Sequence, residues 1–331
     1  MNYHRLSGGE REEISRMLAQ GCSFGDIARF LGRSVSTISN EVSKGGSNRY
    51  MYRATTAHNR AQRKARKRKL WKRKILLVPC IRRYVHAKLR LRWSPEEIAR
   101  KIAKEYPLNM TMRISPEAIY SYLYVLPKGV LKKELLACLR RERKRRHKRR
   151  NHAQEAVGRG KILDMLSIEE RPKEVADRIV PGHWEGDLLI GKNRQSALGS
   201  LVERTTRTTI LVPLKDRTAE TVRKAFAKEA KKIPLHMRRS MTYDQGKEMA
   251  EHARFTKETK MQVYFAHPAS PWERGTNENT NGIIRQFFPK GTDFSKISRR
   301  EVKHVQHLLN GRPRKVLGFA TPYEVFNSLL R

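Results

Sequence analysis

The sequence predicts a multidomain chain in which an all-α N-terminal region is followed by an α/β domain. Three observations predict it. Apolar residues recur at helical spacing, broken by Gly and Pro, as far as about residue 127. Beyond about Val175 the pattern becomes alternating and rich in β-branched residues, as in half-buried strands. Between them lies a stretch with few apolar anchors, in which Arg140 to Arg150 holds nine basic residues in eleven. A length of 331 residues with 38% hydrophobic content fills two or three cores.

The chain carries 72 Lys and Arg against 32 Asp and Glu, a net charge of +40 and a pI near 10.7. Such a charge implies a polyanionic partner, nucleic acid before an anionic membrane. The longest apolar run, Ile75 to Ile81, contains Pro79 and falls far short of the roughly 20 residues of a membrane-spanning helix. The stretch after Met1 has no apolar secretory signal, so a cytoplasmic, nucleoid-associated protein with no membrane partner is expected. Cys22, Cys80 and Cys138 fit neither a disulfide framework nor a zinc site. Residues 1–160 hold 40 basic and 12 acidic groups, and residues 161–331 hold 32 and 20, so the N-terminal half is the main electrostatic handle.

Ser7 and Glu10 form a capping box ahead of Ile14, Met17 and Leu18, which opens a first helix that Gly21 ends. Ser23 starts a second helix through Ile27, Phe30 and Leu31, and Ser34 caps a third with Val35, Ile38 and Val42 inward. Short helices joined by Gly-containing turns are the helix-turn-helix pattern, whose last helix enters the DNA major groove. Its outward residues are Ser36, Thr37, Asn40, Ser43 and Lys44, with Arg33 just before them, all able to bond base edges or phosphates. Arg60 to Lys74 has ten basic residues in fifteen and reads as a linker that tracks phosphates. A second helical unit follows, with caps at Ser94 and Ser115. It is either a second helix-turn-helix or a helical spacer, since Tyr120 and Tyr124 rather than amides take exposed positions; which unit reads sequence stays open.

The expected organisation is a helix-turn-helix DNA-binding domain over 1–50, a basic linker over 51–79, a second helical unit over 80–127, a basic linker over 128–174 and a catalytic domain over 175–331. Within the last, strands are expected over His183 to Ile190, Ala197 to Val202 and Thr208 to Leu214, then a helix from Thr218 to Ile233. A strand ending at Tyr243, a helix near His252 to Lys260, a strand from Val263 to Ala266 and a further helix complete the order. Thr321 to Leu329 closes the chain as a packing helix.

That order is the ribonuclease-H-like one, in which carboxylates from the first strand, the end of the fourth strand and a later helix converge. Asp187, Asp244 and Glu278 stand at those places, the last two with 33 residues between them. Three converging carboxylates repel one another unless divalent cations neutralise them. Hard oxygen ligands and a phosphate substrate favour a pair of Mg²⁺ ions, with Mn²⁺ as substitute, in a site that cuts or joins phosphodiester bonds. Asn281 and Arg285 share a face of the Glu278 helix, which places Arg285 to contact a phosphate; Lys290 is a weaker candidate. Strand alternation puts Glu185 on the same face as Asp187, and Glu248 lies four residues after Asp244, so both compete as ligands. His183, His252 and His267 read as hydrogen-bonded structural groups, because hard metals prefer oxygen. Trp272 reads as a loop anchor in the core or as an aromatic that stacks on an unpaired base, the anchor being favoured.

Here a resemblance becomes specific. The stretches Pro181-Gly182-His183-Trp184-Glu185-Gly186-Asp187, Asp244-Gln245-Gly246-Lys247-Glu248-Met249 and Pro271-Trp272-Glu273-Arg274-Gly275, running on through Glu278, Asn281, Arg285 and Pro289-Lys290-Gly291, resemble the catalytic domain of DDE transposases and retroviral integrases. With Arg33 to Glu41 matching a helix-turn-helix, the whole chain resembles the IS30 family of insertion-sequence transposases. The resemblance favours Asp187 over Glu185. It implies recognition of terminal inverted repeats, metal-dependent cleavage, and strand transfer into target DNA, often through a circular intermediate, by a homo-oligomer on DNA. The competing expectations are a non-catalytic DNA-binding regulator with a nuclease-like domain, and a structure-specific nuclease of the same fold.

Overall fold

Ser or Thr three places before an acid opens helix after helix of this chain. The hydroxyl accepts the third backbone N–H, and the acid reaches back to the cap, at Ser7/Glu10, Ser23/Asp26, Ser94/Glu97, Ser298/Glu301 and Thr321/Glu324. The computed structural model describes residues 5–44, 49–72, 74–139, 162, 164–268 and 270–330, in two compact units, 1–79 and 80–331. Among the described residues no helix is long and apolar enough to cross a membrane.

In the first unit, α1 (Gly8–Ala19), α2 (Phe24–Leu31) and α3 (Val35–Ser43) close over Ile14, Leu18, Ile27, Ile38 and Val42. Gly32 ends α2 at φ +61, a left-handed turn that costs glycine little. Buried Arg11 and Glu41 pair at 2.7 Å and tie α1 to α3. The structure differs from the expected linker over 51–79, which instead forms α4 (Ala54–Lys72) and α5 (Lys74–Leu77). Ala54 is buried and Ala57 packs into the α1–α3 core. Lys, Arg, Gln and Ala are strong helix formers, so a helix anchored at that end propagates through the basic run without an apolar face.

In the second unit, α6 (Pro79–Arg90), α7 (Pro95–Glu105), α8 (Pro116–Val125) and α9 (Val130–Ala137) form the helical part. The caps at Ser94 and Ser115 stand where expected, while α6 has no side-chain cap to announce it and is betrayed only by Ile81, Val85 and Leu89, all buried at four-residue spacing. Helix α9 falls inside the stretch expected as a linker over 128–174; the basic run of 140–150 lies outside the described residues. The first turn of α7 is taken up by the C-terminal segment. Glu97 pairs with the buried Arg312 at 2.9 Å, Glu96 with Lys315 at 2.9 Å, and Lys101 with Glu324 at 2.6 Å.

A short helix α10 (Glu174–Asp177) precedes β1 (His183–Ile190), β2 (Ala197–Glu203) and β3 (Thr209–Pro213). Then come α11 (Ala219–Ala230), β4 (Ser240–Tyr243), α12 (His252–Thr259), β5 (Gln262–Phe265), α13 (Gly275–Ile284), α14 (Arg299–Asn310) and α15 (Pro322–Leu329). The order is the one predicted, with α10 and α14 added. The sheet runs β3-β2-β1-β4-β5; β1, β2 and β3 form an antiparallel meander, and β4 joins β1 in parallel, as β5 joins β4.

Alternation along β1 sends Trp184 and Leu188 to one face, packed with Phe226 of α11 and Phe255 of α12. Leu189 points to the other face, with Ile283 and Ile284 of α13 and Val302, Val305 and Leu309 of α14. Glu185 and Asp187 share that second face. Gly186 lies between them because Tyr243 of β4 packs on the strand there: a Cβ at residue 186 would stand 2.6 Å from the Tyr243 ring.

Candidate active site

The parallel register between β1 and β4 pairs Glu185 with Thr242. Continued in step, it sets Asp187 level with Asp244, just past the end of β4. Two strands far apart in sequence thereby deliver two carboxylates to one spot. Arg274, at the N-terminus of α13, bridges them, with Nη1 3.3 Å from Asp187 Oδ1 and Nη2 3.4 Å from Asp244 Oδ2. Oδ1 of Asp244 is buried and has no hydrogen-bond partner. Burial pushes the Asp187 carboxyl above the ordinary aspartate range; Arg274 opposes this and the neighbouring Asp244 adds to it. Complete burial drives the Tyr243 hydroxyl well above its usual value, so it stays protonated.

Helix α13 has no side-chain cap from its own N-cap residue. Glu185 supplies one from β1: its Oε2 accepts the backbone N–H of Asn277 at 2.7 Å, where the helix dipole also favours a negative charge. Asn277 Nδ2 donates back to the Glu185 carbonyl at 2.9 Å, and Arg204 lies 3.2 Å from Glu185 Oε1. Ser200, paired with Asp187 in the sheet, has its Oγ 3.1 Å from both Asn277 Oδ1 and Asn281 Oδ1, which share its single hydroxyl hydrogen. Asn281 Nδ2 in turn donates to Asp187 Oδ2 at 2.7 Å. The helix is pinned to β1 and β2 along its length.

The expected site residues are not all brought together. Asp187 and Asp244 meet. Glu278 is exposed on the first turns of α13, on the face that carries Asn281, and forms no ion pair among the described residues. Among the described residues no three His, Cys, Asp or Glu side chains gather closely enough to hold a metal ion. Arg285 gives one N–H to the Ile190 carbonyl at 2.9 Å and another to that of Pro289 at 3.4 Å. Lys290 is exposed beside Gly291, whose φ is +88. Glu185 is fully buried, with Oε2 bonded to Asn277 and Oε1 beside Arg204 without a hydrogen bond, and is not exposed to any ligand. Glu248 folds its carboxylate against Gly246.

His183 bonds Ser240 Oγ at 2.7 Å, buried His252 stacks edge-on against Phe265, and His267 bonds Glu273 at 2.8 Å, so all three have structural partners. Trp272 is a correction. It is 72% exposed rather than anchored in the core, because Glu273 and Arg274 supply the fixings of its turn: Glu273 clamps His267, and Arg274 the two aspartates. Sequence reasoning missed Arg274 and Arg204, each one basic residue among 72 with no spacing signal.

In the first unit Ser36, Asn40 and Lys44 are exposed along α3 and Thr37 is half-buried. The hydroxyls of Ser36 and Thr37 bond Ser34 Oγ at 3.0 and 2.8 Å, and Arg33 pairs with Glu10 at 2.8 Å. Ser36, Thr37, Asn40 and Lys44 line a cleft of about 650 Å³ together with Arg60 and Lys64 of α4.

The helix-turn-helix domain family matches residues 2–45, and the integrase core domain family matches residues 177–271. The transposase for insertion sequence element IS1086 of Cupriavidus metallidurans is 40% identical over 99% of this chain and 96% of its own length. The transposase InsI for insertion sequence element IS30A of Escherichia coli is 41% identical over 97% of this chain and 82% of its own length. The chain belongs to the IS30 family of transposases. A transposase for insertion sequence element IS4351 of Bacteroides fragilis is 35% identical over 97% of the chain. The catalytic core domain of BIV integrase aligns with 44% of this chain and 94% of its own at 16% identity, with a TM-score of 0.34.

As an IS30-family enzyme the chain is a DDE-type transposase with a helix-turn-helix N-terminal domain and a ribonuclease-H-like integrase core, and family membership implies dependence on a divalent metal ion. The donors fit such an ion. Asp187 and Asp244 offer hard oxygens only, one of them buried without a partner, and their mutual repulsion is relieved by nothing stronger than a monovalent guanidinium at more than 3 Å.

Proposed function

We propose that this transposase binds the terminal inverted repeats of its insertion sequence and catalyses phosphodiester cleavage and strand transfer into target DNA at Asp187, Asp244 and Glu278. The observation that carries the proposal is the meeting of Asp187 and Asp244, with a buried Asp244 oxygen unpartnered. Those three residues would hold two Mg²⁺, or Mn²⁺ in substitution. Bound there, the ions supply Lewis-acid stabilisation of charge on the scissile phosphate.

Everything else is done by the chain's own residues. Asn281 fixes the Asp187 carboxylate by a charge-assisted hydrogen bond. Glu185 holds α13, and with it Glu278, at the mouth of the site. Arg285 retains N–H donors beyond the two bonded to carbonyls, and together with Lys290 it contacts DNA phosphates. No side chain forms a covalent link to DNA. On α3, Arg33, Ser36, Thr37, Asn40 and Lys44 face the duplex, and the basic stretches of 60–74 and 140–150 grip phosphates without reading bases. Two ends must meet, so the working form is a homo-oligomer on DNA.

Nicking of a duplex carrying the element's own end, assayed with Mg²⁺, tests the proposal. Asp244→Asn should retain end binding and lose nicking. Nicking at the wild-type rate removes Asp244 from the site, and no nicking by the wild type under any divalent cation favours the regulator reading. Binding should weaken with salt at a log–log slope of about −0.9 per phosphate neutralised, and a flat response removes the phosphate-gripping role.

A further inference from the structure

Arg274 stands where the proposed metal ions belong. Its donors lie 3.3 and 3.4 Å from the two aspartates, long against the roughly 2.7–2.9 Å of a well-formed charge-assisted bond. Asn281 reaches Asp187 at 2.7 Å in the same site, so short bonds are attainable there. The guanidinium is also within 3.3 Å of the Gly186 carbonyl, and its side chain is only 13% exposed. It is thus spread over three acceptors, close to none, and leaves Asp244 Oδ1 with no partner. A cation so placed relieves repulsion between the carboxylates without saturating either of them. Glu278 stays outside, one helical turn further along α13.

We infer that Arg274 is a resident counter-ion, which holds Asp187 and Asp244 together before divalent cations enter and gives up its place when they do. The inference rests on the proposed metal site and deepens it: Arg274 is a positioning residue, and metal loading is an exchange of cations rather than the filling of a gap. The exchange also explains why the third carboxylate stands apart, since a site already holding one positive charge gains little from a third negative one.

The test measures Mn²⁺ binding to the full chain by the loss of the free-ion electron paramagnetic resonance signal, together with thermal unfolding with and without Mn²⁺. Arg274→Gln removes the competitor. An arginine beside a carboxylate shifts its proton affinity by one to three decades, so Mn²⁺ should bind Arg274→Gln about tenfold or more tighter than wild type. Arg274→Lys, a cation with a point charge in place of the fork, should fall between them and carries the comparison if Arg274→Gln does not fold. Without metal, Arg274→Gln should melt below the wild type, and saturating Mn²⁺ should raise its Tm by more than it raises the wild-type Tm. Equal or weaker Mn²⁺ binding by both variants overturns the role of Arg274 alone. Mn²⁺ binding by none of the three, or undiminished binding by Asp244→Asn, overturns the metal site itself.

Discussion

Strand β1 carries two carboxylates on one face, two residues apart, and their surroundings are opposite in kind. Glu185 is fully buried; its Oε2 accepts the Asn277 backbone N–H, a bond that cannot be given up without freeing the α13 N-terminus, and its Oε1 lies 3.2 Å from Arg204 without a hydrogen bond. Asp187 keeps a side chain 24% exposed and is held by Asn281 and by an arginine at long range. The same residue class on the same strand thus serves as a structural pin in one place and, in the proposed site, as an exchangeable ligand in the other. What separates the roles is that Glu185 is fully buried and bonded to the first turn of α13, whereas Asp187 is partly exposed and faces a side chain, Arg274, that an incoming cation can replace. The electropositive first unit repeats the theme: Arg11 and Glu41 are buried and fixed, while Asn40 and Lys44 face solvent.

Neutralising each carboxylate in turn gives the largest expected separation. Asp187→Asn removes a proposed ligand worth several kcal/mol of Lewis-acid stabilisation, so strand cleavage should fall by about 10³-fold. The fold should hold, with the unfolding free energy within about 1 kcal/mol of wild type, because the lost charge was itself opposed by burial. Glu185→Gln should do the reverse in stability, costing about 3 kcal/mol or more by leaving Arg204 buried beside a neutral amide. Urea denaturation alongside a nicking assay reads both. Equal stability loss in the two variants would erase the distinction drawn between them.

Gly186 offers a smaller and purely steric probe of the same strand. Gly186→Ala drives a Cβ into the Tyr243 ring, and the ring cannot retreat, because it is fully buried and packed edge-on against Phe226. Overpacking of this kind costs about 1–3 kcal/mol. Because Tyr243 precedes Asp244, cleavage should fall together with Tm, in contrast to the Asp187→Asn pattern of lost cleavage at unchanged stability. Unchanged Tm and activity would show that β1 and β4 have room to shift, and that the aspartates are less firmly placed than the register implies.

Much of this was legible in the sequence. The strands betrayed themselves by alternation, the helices by Ser and Thr caps, and the meeting of Asp187 and Asp244 by their places in the element order, while Glu278, singled out in the same way, stands exposed on α13. Helix α6 was not legible, since its buried Ile81, Val85 and Leu89 stand in a run of Lys and Arg without a cap. Nor was α4, whose helicity follows from backbone propensity and an anchored end rather than from an apolar stripe. The roles of Glu185 and Arg274 were hidden for a different reason. Glu185 depends on Asn277, 92 residues further on, and Arg274 on Asp187, 87 residues back, and periodicity carries no information at that range. Trp272 shows the same limit, since the fixings that spare it from the core are contacts made by its two neighbours.

Two histidines extend the comparison to the smallest expected effect. Burial holds the His183 imidazole below its ordinary pKa, so it is neutral near pH 7 and indifferent to changes above that. His267 is more exposed, and its hydrogen bond to Glu273, reinforced by the charge of that carboxylate, raises it above the ordinary value. A histidine raised in the folded state contributes stability that is fully present below its unfolded pKa and is lost as pH rises through the folded one. Glu273 and Glu169 both face the ring, so protonation is what tightens the turn that presents Trp272. Backbone hydrogen exchange at His267 and its neighbours, corrected for its intrinsic pH dependence, should therefore accelerate as pH rises above the ordinary histidine range, while the β1 segment around His183 stays unchanged. His267→Ala should exchange at the fast rate throughout. Exchange there that ignores pH in the wild type would mean that the turn is held by Arg274 and by the backbone N–H of His267 on Glu273, and that the charge of the imidazole plays no part in where Trp272 stands.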